Sequence, residues 1–205
     1  MTTFDERAKD WDANPARVER AYVVAQAMRV ALPLTADMSA LEYGCGTGLL
    51  SFALQQDFAS ITLADTSQGM LDVLAEKIKK SAVTNMHPLL VNESFQPIPE
   101  LRFDVIYSLL TLHHIPDTKA ALRHFATLLK PGGFLCVADL EKEDGSFHGP
   151  TVTDVHKGFE REALQKLVED ADLTGVNFSF AFLAMRDVNG HNQAFPVFLM
   201  VARKI

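Results

Sequence analysis

The chain is poor in the residues that would tie it to an oxidising compartment. Two cysteines occur in 205 residues, Cys45 in a glycine-rich stretch and Cys136 in an apolar run. Neither their number nor their spacing makes a disulfide framework or a metal cluster. Long apolar runs are missing too, since none approaches the roughly 18 residues needed to cross a bilayer. The opening segment, MTTFDERAKDWD, is charged from position 5 and lacks the apolar centre of a secretory signal. The expectation is a cytoplasmic protein without membrane contact. Basic residues are the minority, with 19 Lys and Arg against 26 Asp and Glu and a net charge of −7. The densest basic stretch, Lys77-Ile78-Lys79-Lys80, is short and follows Glu76. Binding to a phosphate backbone needs clustered cations, whereas cations closing a helix are favoured by its dipole. No nucleic-acid partner is expected.

What is present is an alternation of apolar strands and helices, with no repeat and no low-complexity tract. Apolar residues make up 48% and charged residues 22%, ordinary values for a soluble globular protein, and the length fits one domain over residues 1–205. Residues 1–37 read as a leading helical segment and 38–205 as the core. The apolar spacing predicts a helix over 4–31, stopped by Pro33. Strands follow at 40–43, 61–64, 87–91, 103–109 and 134–138. Helices are expected at 49–58, 69–80 (behind Thr66-Ser67, suitable N-caps) and 118–129. Lys130-Pro131-Gly132-Gly133 closes the last of these. Near-continuous apolar strands separated by helices imply a parallel sheet covered on both faces. After a polar loop at 140–158 and a helix at 159–171, strands at 175–185 and 195–202 are joined by turn-rich residues 186–193. A hairpin there makes one strand oppose the rest.

Two features bear on chemistry. Leu41-Glu42-Tyr43-Gly44-Cys45-Gly46-Thr47-Gly48-Leu49 runs from a strand into a helix through three glycines. Such a turn lets a ligand approach the backbone beside exposed helix N–H groups. The spacing is G-x-G-x-G. A dinucleotide fingerprint would need glycine where Leu49 stands, and the Gly-Lys-Ser/Thr of a P-loop is absent. The second feature is Asp65, which ends the next strand, where an acidic side chain accepts hydrogen bonds from ribose hydroxyls.

Four blocks in this order resemble the class I S-adenosylmethionine-dependent methyltransferases, particularly the small-molecule enzymes of quinone biosynthesis: LEYGCGTGLL (41–50), LADTSQGML (63–71), FDVIYSLLTLHHIPD (103–117) and LLKPGGFLCVAD (128–139). The resemblance covers about half the chain. It implies a Rossmann-like, seven-stranded, mostly parallel sheet with the last strand antiparallel and helices on both faces. It also implies a cofactor, S-adenosyl-L-methionine, released as S-adenosyl-L-homocysteine. It assigns Gly44, Gly46 and Gly48 to the methionine end, Asp65 to the ribose and Met70 to the adenine. Tyr43, Cys45, Thr66 and Ser108 line the same site by this resemblance. Family members often carry an Asp-Ala pair after the third strand; here Asn92-Glu93-Ser94 stands instead, and Asn92 or Glu93 would meet the adenine amine.

Ligands of open α/β sheets bind at the carboxyl ends of strands, which singles out His113, His114 and Asp139 as candidate bases for an acceptor that must lose a proton. His148 and His156 lie in the polar loop that would border the acceptor. Eight residues apart and without a nearby cysteine, they give no reason to expect a metal. Phe4, Trp11 and Tyr22 are candidates for an aromatic lid that shields a small-molecule substrate. Three other readings share parts of the pattern. A nicotinamide oxidoreductase is disfavoured by Leu49. An RNA or protein methyltransferase has the same cofactor site, with RNA disfavoured by the acidic charge. A non-catalytic module that binds S-adenosylmethionine would carry the same turn and Asp65.

The cofactor expectation is directly testable. S-adenosylhomocysteine should raise the melting temperature and NAD should not. Asp65→Ala should weaken S-adenosylhomocysteine binding by about 1.5–3 kcal/mol, the range for hydrogen bonds to a charged group. Thermal melts and calorimetric titration read both effects, and stabilisation by NAD alone would overturn the expectation.

Overall fold

Strands that are apolar on both faces have to lie inside a sheet with helices packed on each side. In the computed structural model, which describes residues 4–92, 101–149, 152 and 154–205, they do. The parallel strands are β1 (Ser39–Tyr43), β2 (Ser60–Asp65), β3 (Met86–Leu90), β4 (Phe103–Leu109) and β5 (Leu129–Leu140). A hairpin of β6 (Leu173–Val188) and β7 (His191–Lys204) completes a seven-stranded sheet in the order β3-β2-β1-β4-β5-β7-β6. Only β7 runs against the others, pairing antiparallel with both β5 and β6. Helices α2 (Pro15–Ala31), α3 (Leu49–Leu54) and α4 (Gln68–Ser81) cover one face. Helices α5 (Thr118–Leu128) and α6 (Arg161–Glu169) cover the other. No described helix is long and apolar enough to cross a membrane.

The departures from the expected boundaries have local causes. The helix expected over 4–31 is broken into α1 (Phe4–Arg7), a 3₁₀ turn at Trp11–Ala13 and α2. Pro15 cannot sit inside a helix, but it is suited to the first helical position. It takes that place behind Asn14, whose side chain accepts from Ala16 N at 3.0 Å. Helix α3 stops at Leu54 rather than residue 58 because Asn85 Nδ2 donates to Gln55 O (2.8 Å) and Phe58 O (2.9 Å), satisfying carbonyls past its end. The Lys130–Gly133 stretch ends α5 as expected, yet joins β5, with Leu129 paired to Phe103.

The final hairpin is longer than its composition suggests. Its turn is only Asn189-Gly190, with φ of 54° and 81°. Two successive positive φ values make a type I′ turn, for which Asn-Gly is strongly preferred. The polar residues 186–193 therefore continue the ladder, Arg186 facing Gln193 and Val188 facing His191. The 140–158 segment is anchored rather than merely polar: Phe147 is buried, edge-on to Phe195 at 5.2 Å.

One buried polar group sits directly before the glycine turn. Glu42 on β1 accepts from Ser51 Oγ and, at 3.2 Å, from Ser51 N, while Ser51 Oγ lies 2.7 Å from the Tyr107 hydroxyl. Burial is the largest influence on Glu42 and outweighs these hydrogen bonds, pushing its pKa up to about 8. The folded protein thus holds this proton at pH values where the unfolded chain has released it. The associated stability is complete below the ordinary carboxylate range and is lost as pH rises toward 8. Glu42→Gln keeps the shape and removes the titration. Between pH 5 and 8 the wild type should lose melting temperature relative to this variant. Parallel melting curves across that window would show that Glu42 ionises in the fold without penalty.

Candidate functional site

The turn after β1 is held from three sides. Gly44 N and Cys45 N donate to Ala64 O at 2.8 and 3.0 Å. Thr111 Oγ1 donates to Gly44 O at 3.2 Å. Asp65 Oδ2 accepts from Gly46 N at 2.6 Å, and its Oδ1 accepts from Ser67 N at 2.9 Å. Gly44 is required twice over: its φ is +71°, and a Cβ there would fall 2.1 Å from Thr111 Cγ2. At Gly46 a Cβ would make only ordinary contacts, with Met70 Sδ and Trp11 Nε1 each at 3.9 Å. This backbone cradle, lined by Met70 and closed on one side by an indole, fits the methionine end and nucleoside of S-adenosylmethionine. Asp65 braces the turn, and each of its oxygens retains a lone pair for a ribose hydroxyl. Burial raises its pKa from the ordinary aspartate value despite the backbone hydrogen bonds.

The other expected cofactor residues are placed unevenly. Gly48 stands at the start of α3, and Thr66 is exposed beside Asp65. Cys45 is buried, and burial, followed by the Glu42 and Asp65 charges, raises its pKa well above a usual thiol's. Tyr43 packs its ring edge-on to Phe125 at 5.0 Å, in the core beneath α5. Ser108 on β4 is buried, and its Oγ has no hydrogen-bond partner among the described residues. Asn92 lies exposed two residues past β3, and Glu93 falls outside the described residues.

Beyond β4 and β5 the histidines converge. His113, 1% exposed, presents Nδ1 to Asp139 Oδ1 at 2.6 Å, and its N–H donates to Asp139 Oδ2 at 3.2 Å. Leu140 N also donates to Asp139, at 2.7 Å. Burial alone would raise the Asp139 pKa, but His113 and these hydrogen bonds hold it below the usual range. Asp139 is therefore enclosed behind His113 rather than open to an acceptor. The ring of His114 lies 4.2 Å from that of His113, and the ring of His148 lies 5.0 Å from each. Burial, then the neighbouring histidines, pushes His114 down to about 3. Burial, then His113 and Arg186, takes His148 to about 4. Both are neutral near pH 7. His156 does not join them; its Nε2 is 3.2 Å from Thr118 Oγ1 and 3.0 Å from Ile115 O, fastening the loop to the start of α5.

The leading segment lies across the carboxyl ends of β1, β2 and β4. Asp5 accepts from Ser67 Oγ (2.6 Å) and Gly69 N (2.7 Å), and Asp12 from Thr47 Oγ1 (2.5 Å) and Lys77 Nζ (2.6 Å). Phe4 is edge-on to Trp11 at 5.9 Å and to His114 at 5.4 Å. Tyr22 does not reach this region. It is 60% exposed on α2, on the side of Arg29.

Sequence reasoning missed the arginines. Arg17 stacks 3.9 Å from the Trp11 ring centroid, Arg7 lies 5.5 Å from the same ring, and Arg186 lies 4.5 Å over Phe147. Burial first, then Arg186 and Arg17, draws Arg20 down to about 10. None of the four takes part in an ion pair among the described residues. The distance in sequence between Arg186 and the others left no signal for this grouping.

Known proteins resemble this chain in sequence and in fold. The sequence profile of a methyltransferase domain matches residues 41–135. An uncharacterized methyltransferase of Schizosaccharomyces pombe is 32% identical over 152 residues, covering 67% of this chain and 54% of that protein. A ubiquinone biosynthesis O-methyltransferase of Xanthomonas campestris is 34% identical over 134 residues, 65% of this chain and 53% of its own. The chain thus spans about half the length of these curated relatives. The crystal structure of a SAM-dependent methyltransferase from Aquifex aeolicus superposes with a TM-score of 0.69 at 19% identity, covering 98% of each chain.

The contacts of Asp5 and Asp12 make the leading segment testable apart from the sheet. Deleting residues 1–13 spares the Asn14 cap of α2 and should leave a cooperatively melting protein. S-adenosylhomocysteine should bind several-fold more weakly. In the full chain the fluorescence of Trp11, the single tryptophan, should shift on binding. Unchanged affinity in the truncated protein, with no fluorescence response in the intact one, would remove this segment from the cofactor site.

Proposed function

Because the chain belongs to the class I, Rossmann-like family of S-adenosylmethionine-dependent methyltransferases, we propose that it transfers a methyl group to a small-molecule acceptor carrying an anionic group. The observation that carries this reading is the convergence, at adjacent strand ends beneath one leading segment, of the glycine cradle and the histidine cluster, beside four arginines that enter no ion pair among the described residues. When bound, S-adenosylmethionine supplies an electrophilic methyl on a sulfonium.

The chain's own residues account for the rest. The cradle and Asp65 fix one reactant, and the arginines are suited to the acceptor's carboxylate or phosphate, so that nucleophile, methyl carbon and sulfur lie in line. Phe4 and Trp11 keep water from the reacting atoms. The bond from the acceptor atom to the methyl carbon forms as the carbon–sulfur bond breaks, its electron pair remaining on sulfur. An acceptor hydroxyl, thiol or amine gives up its proton in the process. The histidine cluster, with His113 held by Asp139, is chemically suited to assist that loss.

The test is a screen of metabolite pools with methyl-labelled S-adenosylmethionine. Label should enter a low-mass product retained on anion exchange. His113→Ala should lower its formation by about 10²–10⁴ while S-adenosylhomocysteine affinity stays near wild type. Label confined to protein or RNA would overturn the small-molecule acceptor, and cofactor binding without transfer to any pool would favour a binding module.

A further inference from the structure

The histidine cluster has a geometry that in-line alignment by itself does not require. One ring nitrogen from each of His113, His114 and His148 lies within 4.8 Å of the other two. His113 Nδ1 is occupied by Asp139 at 2.6 Å, which leaves Nε2 for other use. That Nε2 is buried and has no hydrogen-bond partner among the described residues, and the same holds for His148 Nε2. A buried imidazole nitrogen without a partner is costly to maintain. Two of them in one cluster indicate a ligand.

We propose that His113, His114 and His148 bind a divalent transition-metal cation of the zinc class, with Asp139 fixing the orientation of His113. Three imidazoles with no carboxylate among them select zinc, cobalt, nickel or copper over magnesium or calcium. A buried carboxylate on the far nitrogen of one ligand is the usual outer support of such sites, setting the tautomer and raising the basicity of the bound nitrogen. Three protein ligands leave one position of a tetrahedral centre open. Bonds of about 2.0–2.1 Å put ligand nitrogens about 3.3 Å apart. His113 is anchored, while His114 and His148 are only half-buried and close the difference by side-chain rotation.

The local charges specify what fills the open position. Arg186 lies 4.5 Å over Phe147, whose ring is 4.9 Å from that of His148, and its charge opposes a bare dication. Asp139 offsets part of that, and an anionic fourth ligand offsets more. The purpose of the site rests on the proposed methyl transfer: an acceptor hydroxyl or thiol at the open position would favour its deprotonated, nucleophilic form. His113 then acts as a ligand rather than as the proton acceptor. Metal binding itself does not depend on that purpose. The expectation of no metal was reasoned from His148 and His156 alone, whereas the proposed ligands join His148 to His113 and His114. His148 meets two histidines more than thirty positions away in the chain, and His156 is committed to the loop.

The experiment titrates metal-stripped, untagged protein with Co²⁺, which takes zinc's place and reports its coordination through visible absorption. S-adenosylhomocysteine binding is measured on the same samples. One equivalent should give the intense absorption of four-coordinate cobalt and be displaced by Zn²⁺. His114→Ala and His148→Ala should each abolish that spectrum and retain S-adenosylhomocysteine binding, which certifies the fold. Asp139→Asn should lower Co²⁺ affinity about 10–100-fold, and retained cofactor binding again shows that the loss is local. Wild type that binds S-adenosylhomocysteine but shows no saturable Co²⁺ site overturns the metal and leaves the methyltransferase reading standing. So does Co²⁺ binding that persists unchanged in both histidine variants. Saturable Co²⁺ binding without S-adenosylhomocysteine binding supports the metal and counts against the proposed function.

Discussion

The turn at residues 44–48 is the constraint on which the rest of the structure depends. It needs a residue without a Cβ at Gly44, because the chain there has a positive φ and lies against Thr111. The same few residues receive the end of β2 through Ala64 O and Asp65, and the loop after β4 through Thr111. Three strand ends are therefore brought to one point through the backbone of this turn, with the side chains of Asp65 and Thr111 completing the junction. Rigid strands carrying irregular loops at one end is the general arrangement by which open α/β sheets build sites.

Charge is distributed against the overall composition. A protein with a net charge of −7 sets Arg7 and Arg17 over Trp11 and Arg186 over Phe147, with Arg20 near Arg17 and Arg186 and none of the four in an ion pair among the described residues, next to neutral histidines. Its buried carboxylates are treated oppositely. Glu42, supported mainly by Ser51, is driven toward its protonated form, whereas Asp139, backed by His113 and two backbone N–H groups, is kept ionised. Burial penalises the charge in both cases, and the His113 imidazole beside Asp139, together with the hydrogen bonds to it, decides the difference. Net charge was thus a poor guide to the local field of the site.

Much of the fold was legible because local signals and long-range packing agreed. The apolar runs at 61–64 and 103–109 could only be interior strands, and Ser67 marks the start of α4 as its cap. Errors fell where a local rule was overridden or left unapplied. Pro15 splits the leading helix, a consequence of ring geometry that apolar spacing alone ignores. Polar residues 186–193 continue a ladder because Asn189-Gly190 suffices for the turn. Tyr22 carried the aromatic character of a lid residue but sits on the outer side of α2.

The sequence by itself determined the strand–helix alternation, the opposed final hairpin and the position of the glycine turn. Each follows from periodicity, or from a residue type that few backbone conformations accept. Only the tertiary structure decided the composition of the site. It placed His148 with His113 and His114, put Asp139 behind His113 instead of before an acceptor, and brought Arg186 toward Arg7, Arg17 and Arg20. It also turned Asp5 and Asp12, unremarkable in a charged opening segment, into the contacts that lay that segment over the strand ends. The reason is physical. Backbone preferences act over a few residues, whereas a site is a coincidence in space among groups far apart in the chain, set by how the covering layers close over the sheet.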